Sequence, residues 1–424
     1  MRKINILWIT NILLPEARSL LDGHKDLKSS GGWILGAAAG LVENPNIRLS
    51  IASVSDVVSE LKVLQGEHIM YYVLPLGKGN LRYNREYESL WLRVREMVKP
   101  DIVQLHGSEF THGLAYVNAC GPDDIVLSIQ GLRSVYEDYY FQGISKWEVL
   151  RNTTIHDLIK RDGLFSGYRD NHILAKTEKV LIQKVSHIIG RTSWDKAHTW
   201  AINPKATYYF CNETLRPEFY TGDLWSYDKC QKHSIFLSQA AKPIKGLHQV
   251  LKAMPIILQH FPDTQIRIAG YDIIRNNIKC RSLRVSGYGK ILGRYIKKYN
   301  LQKHITFTGN LNADEMKREY LNANVFVMPS SIENSPNSLG EAQILGVPHV
   351  ASYVGGTCDM MVGNEENLYR FDDYTMLAEK VCRIFENKNK QVNMSASAFM
   401  RHNPEINKKQ LLTVYSKIIG HEIF

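Results

Sequence analysis

Two carboxylates in the run Ser331-Ile-Glu333-Asn-Ser335-Pro336-Asn337-Ser338-Leu339-Gly-Glu341-Ala stand eight positions apart, with a helix start between them. A strand-like run, Val325 to Pro329, precedes them. Pro336 suits the first turn of a helix, where the N–H it lacks has no acceptor. Ser335 before it is the expected N-cap. The amides of Asn337, Ser338 and Leu339 then point out of a helix end carrying roughly +0.5 charge, which suits a phosphate. Glu333 lies in the loop above that anion site, and Glu341 about one turn into the helix. One carboxylate reaches beyond the phosphates and the other behind them. A nucleoside diphosphate carrying a sugar has that layout: sugar, phosphates, ribose.

Other residues could serve the same chemistry. Gly31-Gly32 follows a polar loop and opens the helical stretch Trp33-Ile-Leu-Gly-Ala, where two glycines allow close backbone approach to a phosphate. Lys245, in Ala240-Ala-Lys242-Pro-Ile-Lys245-Gly246, sits at an expected helix start and could place its ammonium on a phosphate. His106 ends the strand Asp101 to His106; it either binds an acceptor hydroxyl or a phosphate, or packs as a structural histidine. Gln130 and Arg191 end two further strands on the same face. No two aspartates are spaced Asp-x-Asp, so a short metal-binding carboxylate motif is missing. Helix ends and cations are therefore expected to neutralise the phosphates, with neither metal nor cofactor.

The elements that must position these residues read as α/β. The N-terminal half alternates strand candidates (4–10, 48–54, 68–73, 102–105, 125–129, 187–190, 207–210) with helical stretches such as 33–42, 86–98 and 172–184. That alternation marks a parallel, doubly wound sheet. The scheme repeats with strands at 235–237, 265–269, 305–308, 325–328 and 349–352, and with a helix at 312–323 opened by a capping box, Asn312 to Glu315. Residues 214–232 carry turn formers and read as a linker. Expected domains are 1–213 and 214–404, with a helix at about 405–424 returning to the first. At 424 residues, two cores are the natural expectation.

Composition narrows the class. A hydrophobic fraction of 44% and a charged fraction of 22% suit a globular protein. No stretch approaches the roughly 18 apolar residues of a membrane span. The basic, apolar start Met1 to Thr10 imitates a signal peptide, but Asn5 and Asn11 interrupt it, and a first buried strand is the better reading. The six cysteines are scattered without a CxxC pair and read as reduced thiols of a cytoplasmic protein. The net charge is +10; between Asp272 and Asp314 there are nine basic residues and no acidic one. That stretch is either a solvated face or a contact for an anionic membrane surface; nucleic acid is disfavoured because no binding motif accompanies it. An insertion between Arg133 and Arg169 is rich in aromatics, among them Tyr136, Tyr139, Tyr140, Phe141, Trp147, Phe165 and Tyr168. It is either a wall whose aromatics stack on sugar rings or dip into lipid headgroups, or the packing of a helical excursion.

Glu333 to Ala342 resembles the donor loop of retaining glycosyltransferases of family 4, with their Glu-x7-Glu signature and GT-B fold: two Rossmann-like, doubly wound parallel-sheet domains facing a cleft. Arg191-Thr192 and the run Phe210 to Phe219 look like segments of a bacterial polysaccharide-synthesis branch. The resemblance implies transfer of a sugar, with retention, from a nucleotide donor to a glycan or polyprenyl-diphosphate-linked acceptor, by a cytoplasmic protein peripheral at the inner face of the membrane. It makes Glu333, Lys245 and His106 the catalytic set. Donor binding falls to Gly31, Gly32, Lys245, Glu333, Ser335, Asn337, Ser338, Leu339 and Glu341. His106, Gln130 and Arg191 take the acceptor. The sequence departs from the family in two places: Ala240 stands where an arginine is usual, and Gln130 where many members carry histidine. Glutamine orients groups but is no base. The rival readings are a GT-B-fold sugar-nucleotide epimerase and a non-catalytic nucleotide-sugar-binding protein.

Overall fold

The computed structural model describes residues 3–23, 32–76, 83–161, 163–274, 285–387 and 396–423. Two parallel sheets carry the structure. The first orders its strands β3-β4-β2-β1-β5-β6-β7-β8, namely β1 Ile4–Thr10, β2 Ile47–Ser55, β3 Lys62–Gln65, β4 Met70–Pro75, β5 Ile102–His106, β6 Ile125–Ser128, β7 His187–Gly190 and β8 Thr207–Phe210. All pairs are parallel except β3 with β4. The second sheet runs β11-β10-β9-β12-β13-β14, from β9 Ser234–Leu237, β10 Gln265–Ile268, β11 Ile305–Phe307, β12 Val325–Met328, β13 His349–Ser352 and β14 Leu368–Tyr369. The expected strands are present within one or two residues of the sequence reading. Two were missed: β3 is short, exposed and half polar, and β14 spans a single residue pair.

Central strands such as β5, β6, β9 and β12 are buried throughout, which is why they read as largely apolar runs. In each sheet the strand order reverses once near the middle, between β1 and β5 in the first and between β9 and β12 in the second. Crevices at the carboxyl ends of strands beside such a reversal are where open α/β sheets bind ligands. Gly32 follows β1, His106 ends β5, Lys245 follows β9 and Glu333 follows β12.

The chain divides into two compact units. One contains 1–137, 170–216 and 400–424; the other contains 138–169 and 217–399. In the first unit the helix Pro404–Ile419 is tied to the sheet by Tyr415, whose hydroxyl donates to Gln104 and accepts from the Trp8 indole at 2.8 Å. Two features differ from the sequence reading. The stretch read as a linker is anchored in the second unit, where Phe219 and Trp225 are buried and the Trp225 indole donates to Ala323 O at 2.7 Å. The aromatic insertion also belongs largely to the second unit: Ile144 and Val149 join its core, and Phe141 contacts Phe165 and Tyr168. Tyr136 stays in the first, stacked on Trp194. Part of the insertion is thus core packing, while Trp147 and Phe165 stay exposed. Among the described residues, Cys120, Cys211, Cys230, Cys358 and Cys382 are free thiols.

Candidate functional site

In the second unit the donor-type loop is built from several braces. β12 ends at Met328, and the chain passes through Pro329 to Pro336 before the helix Asn337–Ile344. The helix begins differently from the expectation. Pro336 is the N-cap, with extended backbone, and the Ser335 hydroxyl faces the Met360 sulfur at 3.6 Å instead of capping. Proline in the cap position leaves no side-chain acceptor for the first turn. The Leu339 and Gly340 amides donate to Pro336 O at 3.0 and 3.3 Å. The remaining first-turn amides, Asn337 and Ser338, have no intrahelical acceptor by geometry and suit an anion. Leu339 is buried, and its amide leaves the expected anion site.

Glu333 and Lys245, 88 residues apart in sequence, meet: Lys245 Nζ donates to Glu333 Oε1 at 2.6 Å. The Ser330 hydroxyl donates to the same oxygen at 2.7 Å. Oε2 remains available for a ligand hydroxyl. Lys245 ends the short 3-10 turn Pro243–Lys245, two residues before the helix Leu247–His260, close to the helix start expected of it. Gly246 follows with φ +72°, and a Cβ there would lie 1.6 Å from Pro329 O, so only glycine lets the Lys245 turn approach the β12 loop. Glu341 is buried, 5% exposed, one turn into its helix. Ala240 is also buried, and Lys242 is exposed.

Gly355 braces Glu333 from the other side. It has φ +51°, a Cβ on it would meet Glu333 O at 1.9 Å, and the next amide, of Gly356, donates to that same oxygen at 3.0 Å. Gly355→Ala is therefore expected to cost at least about 2 kcal/mol through strain and displacement of the Glu333 loop. A melting temperature equal to wild type would show that the loop yields freely.

In the first unit, Gly32 opens the helix Gly32–Val42, and a Cβ on it would meet the Arg216 side chain at 2.4 Å. Gly31 lies outside the described residues. His106 is buried with its ring 4.6 Å from Trp8 and 5.4 Å from Trp33, and neither ring nitrogen has a partner. Burial pushes its pKa down to about 3, so it stands neutral and is a poor base. Gln130 and Arg191 share one partner that sequence reading did not single out, Glu213. Gln130 Nε2 donates to one carboxylate oxygen and Arg191 Nη1 to the other, each at 2.5 Å. Arg191 Nη2 also donates to Gln130 O at 3.1 Å. This buried arginine thus positions Gln130; its guanidinium is spent inside the fold rather than offered outward.

Glu109 was missed as well. Its Oε2 is buried without a partner, and its pKa is pushed up to about 7, by burial first and then by the charge of Glu178, with Arg133 opposing. Glu178 accepts from Ser108 Oγ and from the Arg133 and Ser134 amides at 2.8 to 3.1 Å, stapling the loops after β5 and β6 together. The spacing His106-Gly-Ser-Glu109 was the signal available for Glu109; nothing local marks Glu178. Among the described residues no three His, Cys, Asp or Glu side chains cluster as metal ligands.

Residues 228–401, less than half of the chain, match the family model described as Glycosyl transferases group 1. The chain is 27% identical over 190 residues to the uncharacterized glycosyltransferase YqgM of Bacillus subtilis, a match covering 42% of this chain and 47% of the relative; the chain thus spans about half of that relative's length. Among solved structures, Anabaena Alr3699/HepE in complex with UDP and glucose superposes with a TM-score of 0.66 at 14% identity, covering 98% of this chain and 100% of that one. Sucrose-phosphate synthase of Thermosynechococcus elongatus superposes at 0.64 with 15% identity, covering 99% and 96%. These likenesses establish the fold as GT-B. No helix among the described residues is long and apolar enough to cross a membrane.

Proposed function

We propose that this protein is a retaining glycosyltransferase of the family 4 type, moving a sugar from a nucleoside diphosphate donor to a glycan or lipid-linked glycan acceptor in surface polysaccharide synthesis. The observation that carries the reading is the Lys245–Glu333 contact beside the free-ended helix Asn337–Ile344, with buried Glu341 one turn in. All of it lies within the residues that match the group 1 model. A structural neighbour was solved with UDP-glucose, which supports the same ligand class here.

The roles follow from donor counting. An ammonium has three N–H donors. One of Lys245's sits on Glu333 Oε1, leaving others for diphosphate oxygens, while Oε2 of Glu333 takes hydroxyls of the donor sugar. Asn337 and Ser338 amides meet the phosphate from the helix end, and Glu341 takes the ribose hydroxyls. As the glycosidic bond breaks, negative charge grows on the leaving diphosphate, and these fixed donors favour that state more than the ground state. The leaving phosphate takes the proton of the incoming hydroxyl on the same face, so no histidine base is needed. That is consistent with a neutral His106 and with glutamine at 130.

The test is a thermal-shift panel with UDP, GDP, ADP and CMP on wild type and Glu341→Ala. At a hundredfold excess over Kd, one diphosphate is expected to stabilise wild type by about 2.7 kcal/mol, a rise of several degrees. Glu341→Ala loses that response. Absence of a response to every nucleotide would sink the donor site. Binding without sugar transfer to any acceptor would leave a non-catalytic binder, and donor isomerisation without acceptor an epimerase.

A further inference from the structure

A second surface, on the unit formed by 138–169 and 217–399, is unlike the rest of the molecule. The helices Lys146–Asn152 and Ile155–Lys160 bury Val149, Asn152 and Asp157 and turn their larger apolar side chains outward. Trp147 is 71% exposed, Leu150 56%, Ile155 56%, Leu158 70% and Ile159 74%. Ile155, Leu158 and Ile159 follow i, i+3, i+4 spacing and share one face of their helix. Single exposed apolar residues are ordinary, but this density within 13 residues marks an interaction site.

The frame beneath is rigid. Ser145 caps the first helix, accepting from the Glu148 amide at 3.1 Å. Thr154 and Asp157 form a capping box on the second. Asp157 also accepts from the Gly287 amide at 2.9 Å, which fixes that helix to the start of the basic helix Gly287–Lys298. Tyr295 on the basic helix donates to Glu148 at 3.2 Å. Asp157 and Glu148 are thus engaged inward.

The cations face outward. Lys290, Arg294 and Lys297, with Gly293, form a stripe along the basic helix. Opposite them stand Thr153, Thr154, Ile155 and Val285, and the two walls line an open groove of about 630 Å³. Lys146, Arg151 and Lys160 are exposed on the apolar pair of helices, and among the described residues none of these six cations has an ion-pair partner. Such a surface needs a partner that is apolar within and anionic at its face. Protein interfaces deplete lysine at their centres, whereas a bilayer combines both features, and stable peripheral anchoring needs both together.

We propose that these three helices dock the protein on an anionic lipid bilayer, with Trp147, Leu150, Leu158 and Ile159 entering the headgroup region and the Lys290–Arg294–Lys297 groove receiving lipid phosphates. The surface is separate from the donor loop and does not depend on the glycosyltransferase reading.

Flotation of the whole chain with phosphatidylcholine vesicles, with and without phosphatidylglycerol, tests it. Each basic residue near an anionic surface is worth roughly a fivefold change in partitioning. The triple variant Lys290→Gln, Arg294→Gln, Lys297→Gln is expected to lose ~100-fold in binding to anionic vesicles on that scale. Leu158→Ser with Ile159→Ser is expected to lose at least ~10-fold, because both signals are required. Both variants change exposed residues, and circular dichroism and the nucleotide-induced thermal shift confirm that each is folded. The proposal fails if wild type does not float with anionic vesicles, floats equally with neutral ones, or floats undiminished in both variants. It also fails if light scattering shows a dimer that the variants dissociate while flotation is unchanged, for the face is then a contact between copies. A protein that floats as expected but answers no nucleotide loses its donor reading and keeps this one.

Discussion

Lys245→Met is expected to lower kcat/KM for the donor about 10²–10³-fold, Glu333→Gln by a similar factor, and the double variant scarcely further. The reason lies in the shared contact. Glu333 Oε1 takes both the Lys245 ammonium at 2.6 Å and the Ser330 hydroxyl at 2.7 Å, so the carboxylate is held by the lysine that also faces the phosphates. Without Lys245, the mostly buried Glu333 side chain keeps only a neutral donor and no counterion. It then repels the diphosphate it should sit beside. Losing this charged hydrogen bond is expected to cost about 1.5–3 kcal/mol of stability as well. A double-mutant cycle on kcat/KM checks the coupling. If the double variant loses the product of the two single losses, lysine and glutamate act independently and the pair is not the catalytic unit. If Lys245→Met alone leaves turnover intact, the lysine merely holds the loop.

How much of this site could be read beforehand depends on the range of each interaction. The helix after β12 was legible because proline, serine and asparagine act on their own backbone neighbours. Even there, the placement of Pro336 as cap and the turning of Ser335 toward Met360 were decided by the Thr357–Met360 helix, which packs against the loop from a later part of the chain. The ends of β5, β6, β9 and β12 were legible from largely apolar runs, and with them the positions of His106, Gln130, Lys245 and Glu333. The partners were not. Glu333 finds Lys245 across 88 residues, and Gln130 finds Glu213 across 83. Nothing in local periodicity encodes such pairs, since the sheet order creates them. The aromatic insertion shows the same limit: its composition suits a wall or a core equally, and only the folded contacts show Ile144 and Val149 in the second unit's core with Trp147 exposed beside them. Which face of residues 146–160 points outward stayed open, because exposed and buried faces of a short helix look alike until one has a partner.

His106→Phe is expected to flatten the acid side of the stability profile while, if the histidine touches substrate, removing turnover. Burial pushes His106, His248 and His402 down to about 3 and His112 to about 4. Unfolded, each would titrate near 6.5. Below that pH the unfolded chain binds more protons than the folded one, so each histidine's contribution is intact above about 6.5 and is lost as pH falls toward 3–4. The loss approaches about 1.4 kcal/mol per pH unit for each. Glu109 acts oppositely: its pKa of about 7 means that protonating it favours the fold as pH drops toward the ordinary carboxylate range. Glu178 and Asp124, also raised by burial, act with Glu109, and His187, His198 and His349, also lowered by burial, act with the other four histidines. Among the described residues the histidines outnumber these carboxylates, so net stability falls with acid, against a reserve of about 5–15 kcal/mol. Phenylalanine in place of His106 keeps the packing on Trp8 and Trp33 and removes two buried nitrogens that have no partner. Urea unfolding should therefore show stability no lower than wild type near neutrality, and a gain of about 2 kcal/mol over wild type in the change from neutrality to about pH 5. An unchanged pH dependence would mean that His106 already takes up its proton in the folded state. Turnover at neutral pH then separates the two roles of this residue. A loss of about 10²-fold or more in a fully folded variant marks His106 as touching acceptor or phosphate. Turnover at the wild-type rate makes it a packing residue, and Glu109, three positions on at the same strand end, becomes the acceptor-side group to test next.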